Sequence, residues 1–273
     1  MKTLYLSDLD GTLLRSDERV SGYTADVINR FVRRGGCFSY ATARSFVTAS
    51  KVSAGLDIRF PVICGDGAFI IENAANDTLP LNFFTSDEVE IVYSILKKYG
   101  VYPIVSAYID GTERFAYIEK CVTPAVRSYL DNRIGDPRRR EVETADELYV
   151  GDIFRFSWMD TDAALSPIKN IFEADSRFSC IYLKAPYSDN RCCDILPVKS
   201  TKANAALRLK EMLGCEKMVV FGDERNDLSL FSAADEGYAT ANAVPELKEA
   251  ATAVISSNDD DGVAKWIEEN AEC

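Results

Sequence analysis

The residues of this sequence best suited to chemistry are the two aspartates of the segment Asp8-Leu9-Asp10-Gly11-Thr12. They follow a short apolar run, residues 3–7, which predicts a buried strand of a parallel sheet. The carboxyl ends of such strands form the ligand crevice of an α/β sheet, and Asp8 and Asp10 would point to the same side of an extended chain. The pair can bind a hard cation while one carboxylate attacks phosphorus and the other transfers a proton, although acidic pairs also occur in ordinary turns.

Two further groups could hold the oxygens of a phosphate. Thr42 and Ala43 lie between a predicted strand and a predicted helix, where a hydroxyl and backbone amides can bind an anion, although threonine there is also a common helix cap. Lys202 lies in the first turn of another predicted helix, where its charge opposes the helix dipole and an anionic partner would explain it. Solvent exposure is the simpler alternative for Lys202, and Lys199 is a second candidate for the same role.

Another acidic group follows a predicted strand at residues 217–221. The segment Gly222-Asp223-Glu224-Arg225-Asn226-Asp227 would bring two more carboxylates, those of Asp223 and Asp227, to the sheet edge that holds Asp8. Because Mg²⁺ binds carboxylate oxygen, these groups could complete a magnesium site. Turns built from Gly, Asp and Asn are also routine loop chemistry, so this segment gains its meaning from its placement beside the others.

The charge balance restricts the class of partner. The chain of 273 residues has 31 basic and 43 acidic residues, which gives a formal net charge of -12. This charge would repel nucleic acid and an anionic membrane surface, so we expect neither as a partner. It would also repel a phosphorylated substrate, so a phosphate site must contain its own metal ion and cationic or amide donors.

Residues and motifs that define several other enzyme classes are missing from the sequence. There is no histidine, which excludes Ser-His-Asp and Cys-His nucleophile systems and the H-E-x-x-H zinc site. Neither the P-loop pattern nor G-x-G-x-x-G occurs. The eight cysteines lack C-x-x-C spacing, and we expect them to be reduced core residues. The N-terminus leaves no room for a secretory apolar region and no run approaches membrane-spanning length, so we expect a cytoplasmic protein.

The order of predicted elements indicates two domains. Residues 1–82 and 197–273 alternate strands and helices, which predicts an α/β, Rossmann-like core with a parallel sheet. Residues 83–196 contain more strand-like runs, with helical segments near 124–132 and 163–173, and predict an inserted α+β cap domain. In the core we expect a hairpin over residues 68–83 and parallel strands at residues 3–7, 37–41, 61–64, 217–221 and 237–240.

Taken together, these motifs resemble those of the haloacid dehalogenase-like hydrolases. The matches to the four motifs of that superfamily are, in order, Asp8 to Thr12, Thr42, Lys202 and Gly222 to Asp227. The position of the insert resembles the Cof-type (type IIB) phosphatases. Lesser matches are Gly67-Ala68, Ala241-Asn242-Ala243 and the segment from Ser257 to Ala264. The resemblance covers essentially the whole chain and is strongest in the two core segments.

The resemblance implies catalytic roles for individual residues. Asp8 would be the nucleophile that forms an aspartyl-phosphate. Asp10 would be the general acid for the leaving alcohol and then the base that activates water. Thr42, Ala43 and Lys202 would hold the phosphoryl oxygens.

It also implies a metal site. Mg²⁺ would be bound by the Asp8 carboxylate, the Asp10 backbone carbonyl and Asp223, with Asp227 supporting the site from behind. Asn226 would lie near the phosphate. A protein with a net negative charge would in this way obtain a local positive field for its substrate.

Three positions depart from the family pattern. Ala43 and Ala203 stand where the family usually has glycine, and their small methyl groups should be tolerated if the backbone there is helical. Asp66 stands where an asparagine commonly precedes Gly67, and it adds negative charge close to the expected phosphate. This charge indicates either a cationic group on the substrate or a local salt bridge.

We therefore expect a Mg²⁺-dependent phosphatase that hydrolyses a small phosphorylated metabolite, such as a sugar phosphate. The alternatives are a phosphomutase of the same superfamily, which returns the phosphoryl group to a sugar, and a non-catalytic phospholigand-binding protein. The sequence leaves the oligomeric state open. Four aromatic residues of the cap are expected in its core rather than against a ligand: Tyr108, Tyr117, Trp158 and Tyr182.

Overall fold

The chain divides into two compact units in the computed structural model, which describes residues 2–72, 77–185 and 189–272. The first unit consists of Met1–Leu81 and Ser200–Cys273, and the second consists of Asn82–Lys199. The second unit is therefore inserted in sequence between the two segments of the first.

The first segment of the split unit begins with alternating strands and helices and ends in a hairpin. Its elements are β1 (Thr3–Ser7), α1 (Gly22–Arg33), β2 (Cys37–Tyr40), α2 (Phe46–Val52), β3 (Val62–Cys64), β4 (Phe69–Glu72) and β5 (Asp77–Pro80). Helix α1 starts after Ser21, whose Oγ accepts a hydrogen bond from the Thr24 amide at 3.0 Å, as its N-cap type predicts.

The inserted unit is an α+β structure, as predicted. Its elements are α3 (Ser86–Lys98), β6 (Ile104–Ile109), β7 (Thr112–Ile118), α4 (Pro124–Asp131), β8 (Arg139–Val142), α5 (Ala145–Leu148), β9 (Asp152–Asp160), α6 (Asp162–Glu173), β10 (Phe178–Lys184) and β11 (Arg191–Pro197). The six strands form one sheet in the order β10-β11-β9-β6-β7-β8, in which only β7 and β8 are paired in parallel.

The aromatic residues of the inserted unit pack mainly in its interior. Trp158 and Tyr117 are each 3% exposed and belong to apolar clusters within this unit. Tyr182 packs against one of these clusters, whereas Tyr108 is half-buried. The expectation of core positions is therefore confirmed for Trp158 and Tyr117, whereas Tyr182 and Tyr108 are both half-buried.

The second segment of the split unit returns to alternating helices and strands. Its elements are α7 (Lys202–Met212), β12 (Lys217–Gly222), α8 (Leu228–Ala233), β13 (Glu236–Thr240), α9 (Pro245–Ala250), β14 (Ala253–Ile255) and α10 (Gly262–Asn270). Within the described ranges, no helix combines the length and apolar character needed to cross a membrane.

Five strands of the split unit form a parallel sheet in the order β14-β13-β12-β1-β2, which confirms the predicted α/β core. Strand β1 pairs with both β12 and β2, and Ser7 lies opposite Phe221 on one side and Tyr40 on the other. The pairing continues past these residues, because the Asp8 amide donates to Phe221 O at 2.9 Å. The segments that follow β1, β2 and β12 therefore begin next to one another at the carboxyl edge of the sheet.

The strand expected at residues 61–64 in this parallel sheet pairs differently. Strand β3 pairs antiparallel with β4, and β4 pairs antiparallel with β5, so the three form a separate sheet. The turn Gly65–Gly67 has positive φ at all three residues and reverses the chain immediately after β3, which gives it a local partner. A single parallel bridge, Ala41 to Ile63, joins β3 to the end of β2. The predicted hairpin is confirmed, although its connecting residues 73–76 lie outside the described residues.

Candidate active site

The site is centred on the buried ammonium group of Lys202. Its Nζ lies 2.8 Å from Asp8 Oδ1 and 2.8 Å from Asp227 Oδ1, and the lysine is only 2% exposed. Asp8 directly follows β1, whereas Lys202 is the first residue of α7, whose N-cap is Thr201. The solvent-exposed alternative for Lys202 is therefore wrong. Lys199 is exposed.

Asp223 is held beside this pair by the turn that follows Asp8. Thr12 Oγ1 donates to Asp223 Oδ1 at 2.8 Å. The intervening turn needs Gly11, which has a φ of 72° and approaches Asp223 so closely that an added Cβ would lie 2.1 Å from Asp223 Oδ2. The glycine of the Asp8–Thr12 motif therefore serves both the backbone turn and the close approach of the second carboxylate.

Asp227 is held by the chain that follows β12. Its Oδ2 accepts hydrogen bonds from the amides of Asp223 at 3.1 Å and Glu224 at 3.2 Å, while Oδ1 faces Lys202. Gly222 lies against it, because an added Cβ there would be 2.7 Å from Asp227 Oδ2. Asp227 is fully buried, and both of its oxygens have protein partners. This arrangement suits a residue that positions Lys202 and the Asp223 loop.

The carboxylates perturb one another strongly. Burial, together with the charges of Asp227 and Asp223, raises the pKa of Asp8 well above its usual value, although Lys202 opposes this rise. Burial is also the main cause that raises the pKa of Asp223 to about 7, with a further rise from Asp227. Burial disfavours the charge of Lys202, but Asp227, Asp8 and Asp66 outweigh this effect, so the pKa of Lys202 is raised. Negative charge thus exceeds positive charge in this cluster.

The cluster has the donors that a divalent cation requires. One carboxylate oxygen each from Asp8, Asp223 and Asp227 lie within 4.8 Å of one another. One ammonium balances only one of the three carboxylates, and oxygen is the ligand type that Mg²⁺ prefers. The residues therefore fit a Mg²⁺ ion.

Asp10 has a different environment from the other carboxylates. Arg44 forms a bidentate ion pair with it, with Nε 2.8 Å from Asp10 Oδ2 and Nη2 2.5 Å from Asp10 Oδ1. The same Nη2 donates to Glu18 Oε2 at 2.9 Å. The Asp10 side chain is 47% exposed, so it is accessible to solvent. Its exposed ion pair therefore differs from the buried contacts of Lys202.

The loop after β2 places Thr42 at the carboxyl edge of the sheet. The Thr42 amide donates to Ile63 O at 2.9 Å, and the Arg44 amide donates to Thr42 Oγ1 at 3.1 Å. Thr42 is completely buried, and Ala43 is half-buried. Ala43 and Ala203 have no positive φ, so alanine in place of glycine imposes no backbone strain at either position.

Asp66 and Asn226 meet in the same region. Asn226 Nδ2 donates to Asp66 Oδ1 at 3.4 Å, and Asn226 Oδ1 is buried without a hydrogen-bond partner in the described part of the chain. Asp66 is 4% exposed and has a φ of 55°, a conformation that Asp and Asn tolerate better than most residues. The position that departs from the family pattern is therefore a buried one beside a predicted phosphate-binding residue.

Two asparagines support the turn that contains Gly11. Asn242 Nδ2 donates to Gly11 O at 2.8 Å, and Asn258 Nδ2 donates to Leu14 O at 2.9 Å. The two are linked, because the Asn258 amide donates to Asn242 Oδ1 at 3.1 Å. Both asparagines belong to segments that match the family pattern, but sequence reasoning assigned no role to either. In the structure their side chains stabilise the backbone that follows Asp8.

Sequence reasoning did not assign roles to Arg44 and Glu18. Arg44 directly follows Thr42 and Ala43, so its position next to a predicted phosphate loop was a usable signal. Glu18 gave no signal, because its contact with Arg44 joins residues 26 positions apart and depends on the path of the loop after Leu14.

The chain is similar to known proteins over nearly its whole length. The profile of the haloacid dehalogenase-like hydrolase family matches residues 5–267. Two Bacillus subtilis proteins, the 5-amino-6-(5-phospho-D-ribitylamino)uracil phosphatases YitU and YwtE, are 26% and 25% identical to this chain. Each match covers 96% of this chain, and the matched regions make up 95% of the length of YitU and 96% of the length of YwtE. A haloacid dehalogenase-like hydrolase structure from B. subtilis has the same fold, with a TM-score of 0.79 at 21% identity over 99% of this chain and 100% of that one.

Proposed function

We propose a reaction for this chain, which belongs to the haloacid dehalogenase-like hydrolases and is a phosphatase of that family. In this proposal it hydrolyses small phosphomonoesters through an aspartyl-phosphate on Asp8. The observation that carries the proposal is the contact of Asp8 with Lys202 inside a cluster that also contains Asp223. Such a cluster places a carboxylate nucleophile beside the cations that a phosphoryl group needs.

In the first step of the proposed reaction, a carboxylate oxygen of Asp8 attacks phosphorus. The bond from phosphorus to the ester oxygen breaks, and Asp10 donates a proton to the leaving alcohol. Lys202, the Thr42 hydroxyl and the backbone at Ala43 hold the phosphoryl oxygens while charge moves between them. Asp10 must leave its ion pair with Arg44 to donate this proton, because the Arg44 guanidinium occupies both oxygens of its carboxyl group.

In the second step, water attacks the phosphorus of the aspartyl-phosphate. Asp10, now ionised, accepts a proton from that water, the bond to Asp8 breaks, and inorganic phosphate is released. The ion pair with Arg44 would hold the Asp10 side chain in position for this step. The two steps return both aspartates to their starting protonation states.

Magnesium belongs to the proposal as the cofactor. The Asp8 and Asp223 carboxylates and the Asp10 backbone carbonyl would hold it, with Asp227 positioning the Asp223 loop. When bound, the ion neutralises charge on the phosphoryl oxygens. Asn226 is proposed to lie near the phosphate, next to Asp66.

The proposed substrate is a small phosphorylated metabolite. The two named B. subtilis relatives are phosphatases of 5-amino-6-(5-phospho-D-ribitylamino)uracil, so this compound belongs in the first substrate panel together with sugar phosphates. A cytoplasmic location is part of the same proposal. It is supported by Cys180 and Cys193, which form no disulfide although their sulfur atoms lie 3.6 Å apart.

The test is turnover of p-nitrophenyl phosphate with Mg²⁺ by the wild type and by Asp8→Asn. We expect turnover in the wild type and its loss in Asp8→Asn, because the amide is not a nucleophile. Asp57→Asn is the matched control, since Asp57 is exposed and pairs with Arg59 on the surface of the same unit. A folded wild type that binds phosphate without turnover would favour a binding protein instead. A requirement for a bisphosphate activator, with little net phosphate release, would favour a phosphomutase.

A further inference from the structure

Asp66 lies among the groups proposed to hold the phosphate, although its charge has the same sign as the substrate. Its amide donates to Thr42 O at 3.1 Å, and its Oδ1 accepts from Asn226 Nδ2 at 3.4 Å. The next residue, Gly67, packs against the start of α7, where an added Cβ would lie 2.2 Å from Thr201 O and 3.2 Å from the Lys202 amide. Asp66 is thus fixed between the Thr42 loop, Asn226 and the first turn of α7.

Lys202 is the group on which this charge acts. Two of the three N–H groups of its ammonium face Asp8 and Asp227, and the third is the one proposed to donate to a phosphoryl oxygen. Asp66 lies next to Gly67, which packs against the first turn of α7, where Lys202 is the first residue. Asp66 is 4% exposed, so solvent and salt screen its charge weakly.

We infer that Asp66 is an affinity-determining residue that weakens the binding of the phosphate dianion by compensating the charge of Lys202. The inference rests on the proposed function, because it concerns the same phosphate site. Its consequence is easier release of inorganic phosphate at the end of the cycle.

The test compares the affinity of wild type and Asp66→Asn for inorganic phosphate in the presence of Mg²⁺. Asparagine has the same shape and tolerates the φ of 55°, so the variant should fold. We expect phosphate to bind about fivefold to tenfold more tightly to Asp66→Asn, since removing a buried charge relieves repulsion in a weakly screened site. Two measurements give this affinity: competitive inhibition of p-nitrophenyl phosphate turnover, and calorimetric titration, which does not depend on turnover.

A second neutral variant and a control make the result specific. Asp66→Gly also removes the charge and suits a positive φ, but it introduces no amide donor. Tighter binding in both variants supports charge compensation, whereas tighter binding in Asp66→Asn alone would assign the gain to the new amide and overturn the inference. Asp57→Asn changes the net charge equally at an exposed site of the same unit and should leave the affinity unchanged.

The outcomes separate the inference from the proposed function. Equal phosphate affinity in wild type and Asp66→Asn, in an enzyme that turns over p-nitrophenyl phosphate, overturns the role of Asp66 and leaves the phosphatase proposal intact. Phosphate binding without turnover in the wild type contradicts the phosphatase proposal, and the calorimetric comparison then still decides the role of Asp66.

Discussion

Lys202 Nζ lies 2.8 Å from Asp8 Oδ1, although the two residues are 194 positions apart and belong to different segments of the split unit. The ammonium is also 2.8 Å from Asp227 Oδ1, and all three side chains are buried. A buried cation between two buried carboxylates is a structural requirement, because either partner alone would be an uncompensated charge.

Replacing Lys202 by methionine should therefore destabilise the protein as well as abolish turnover. We expect Lys202→Met to lower the free energy of unfolding at neutral pH by about 3 to 5 kcal/mol, since it leaves Asp8 and Asp227 without their cation. Chemical denaturation without metal measures this loss. The matched control is Lys210→Met, which removes an ion pair with the more exposed Asp235 and should cost less than about 1 kcal/mol. Equal losses in the two variants would contradict the buried ion pairs.

Magnesium affinity should depend on pH through Asp223. Its pKa of about 7 in the metal-free protein means that it carries a proton at lower pH, and a protonated carboxyl group cannot bind the ion. The affinity should therefore rise as pH increases through 7, by about tenfold per pH unit for the proton that Asp223 releases. Calorimetric titration with Mg²⁺ measures this profile, and an affinity that stays constant between about pH 5.5 and 8.5 would refute it. Asp223→Asn should bind Mg²⁺ weakly at every pH.

The close approach of Gly11 to Asp223 predicts a strong effect of a single methyl group. Gly11→Ala should abolish most Mg²⁺ binding and turnover, because its Cβ would lie 2.1 Å from Asp223 Oδ2 and its φ of 72° is unfavourable for alanine. Gly22→Ala is the control, since a Cβ at that position meets no atom within 4 Å. Mg²⁺ titration and p-nitrophenyl phosphate turnover measure the difference. Two variants with the same Mg²⁺ affinity would argue against this placement of Asp223.

The ion pair between Arg44 and Asp10 predicts a positioning role for the arginine. Arg44→Gln should lower kcat by about tenfold to a hundredfold, because a misplaced proton-transfer group loses catalytic efficiency steeply. Glu18→Gln should have a smaller effect, since it removes only a neighbour of Arg44. Arg59→Gln, at an exposed ion pair, is the control. An unchanged kcat in Arg44→Gln would contradict a positioning role for Arg44 in catalysis.

Elements with a strong local pattern were predicted well from the sequence. Strand β1 was predicted from its apolar run, and helix α1 from its serine cap and the four apolar residues on one of its faces. The structure has both elements where they were expected. Strand β8 was missed because its sequence Arg-Arg-Glu-Val lacks an apolar alternation, and it lies at the edge of its sheet. Strands β11 and β14 and helices α5 and α9 were missed too, the last three being segments of three to six residues. The partner of β3 was also wrong, because strand pairing depends on the turn at Gly65–Gly67 rather than on the apolar character of the strand.

The candidate site divides in the same way. Asp8, Asp223 and Asp227 could be placed together in advance, because each follows a parallel strand that ends at one edge. The environment of each carboxylate could not be predicted from the sequence, since it depends on contacts between distant residues. The pair of Asp10 with Arg44 spans 34 positions, and the contact of Asp66 with Asn226 spans 160.

The central claim is that the phosphoryl group passes through Asp8, and Asp10→Asn tests it most directly. The p-nitrophenolate leaving group needs little help from an acid, so this variant should still transfer the phosphoryl group to Asp8, whereas hydrolysis of the aspartyl-phosphate lacks its base. Mass spectrometry of the acid-quenched protein should therefore find one phosphoryl group on the peptide that contains Asp8, and none in the Asp8→Asn/Asp10→Asn double variant. Release of phosphate by the wild type, with no phosphoryl group on Asp8 in Asp10→Asn at any reaction time, would contradict the account.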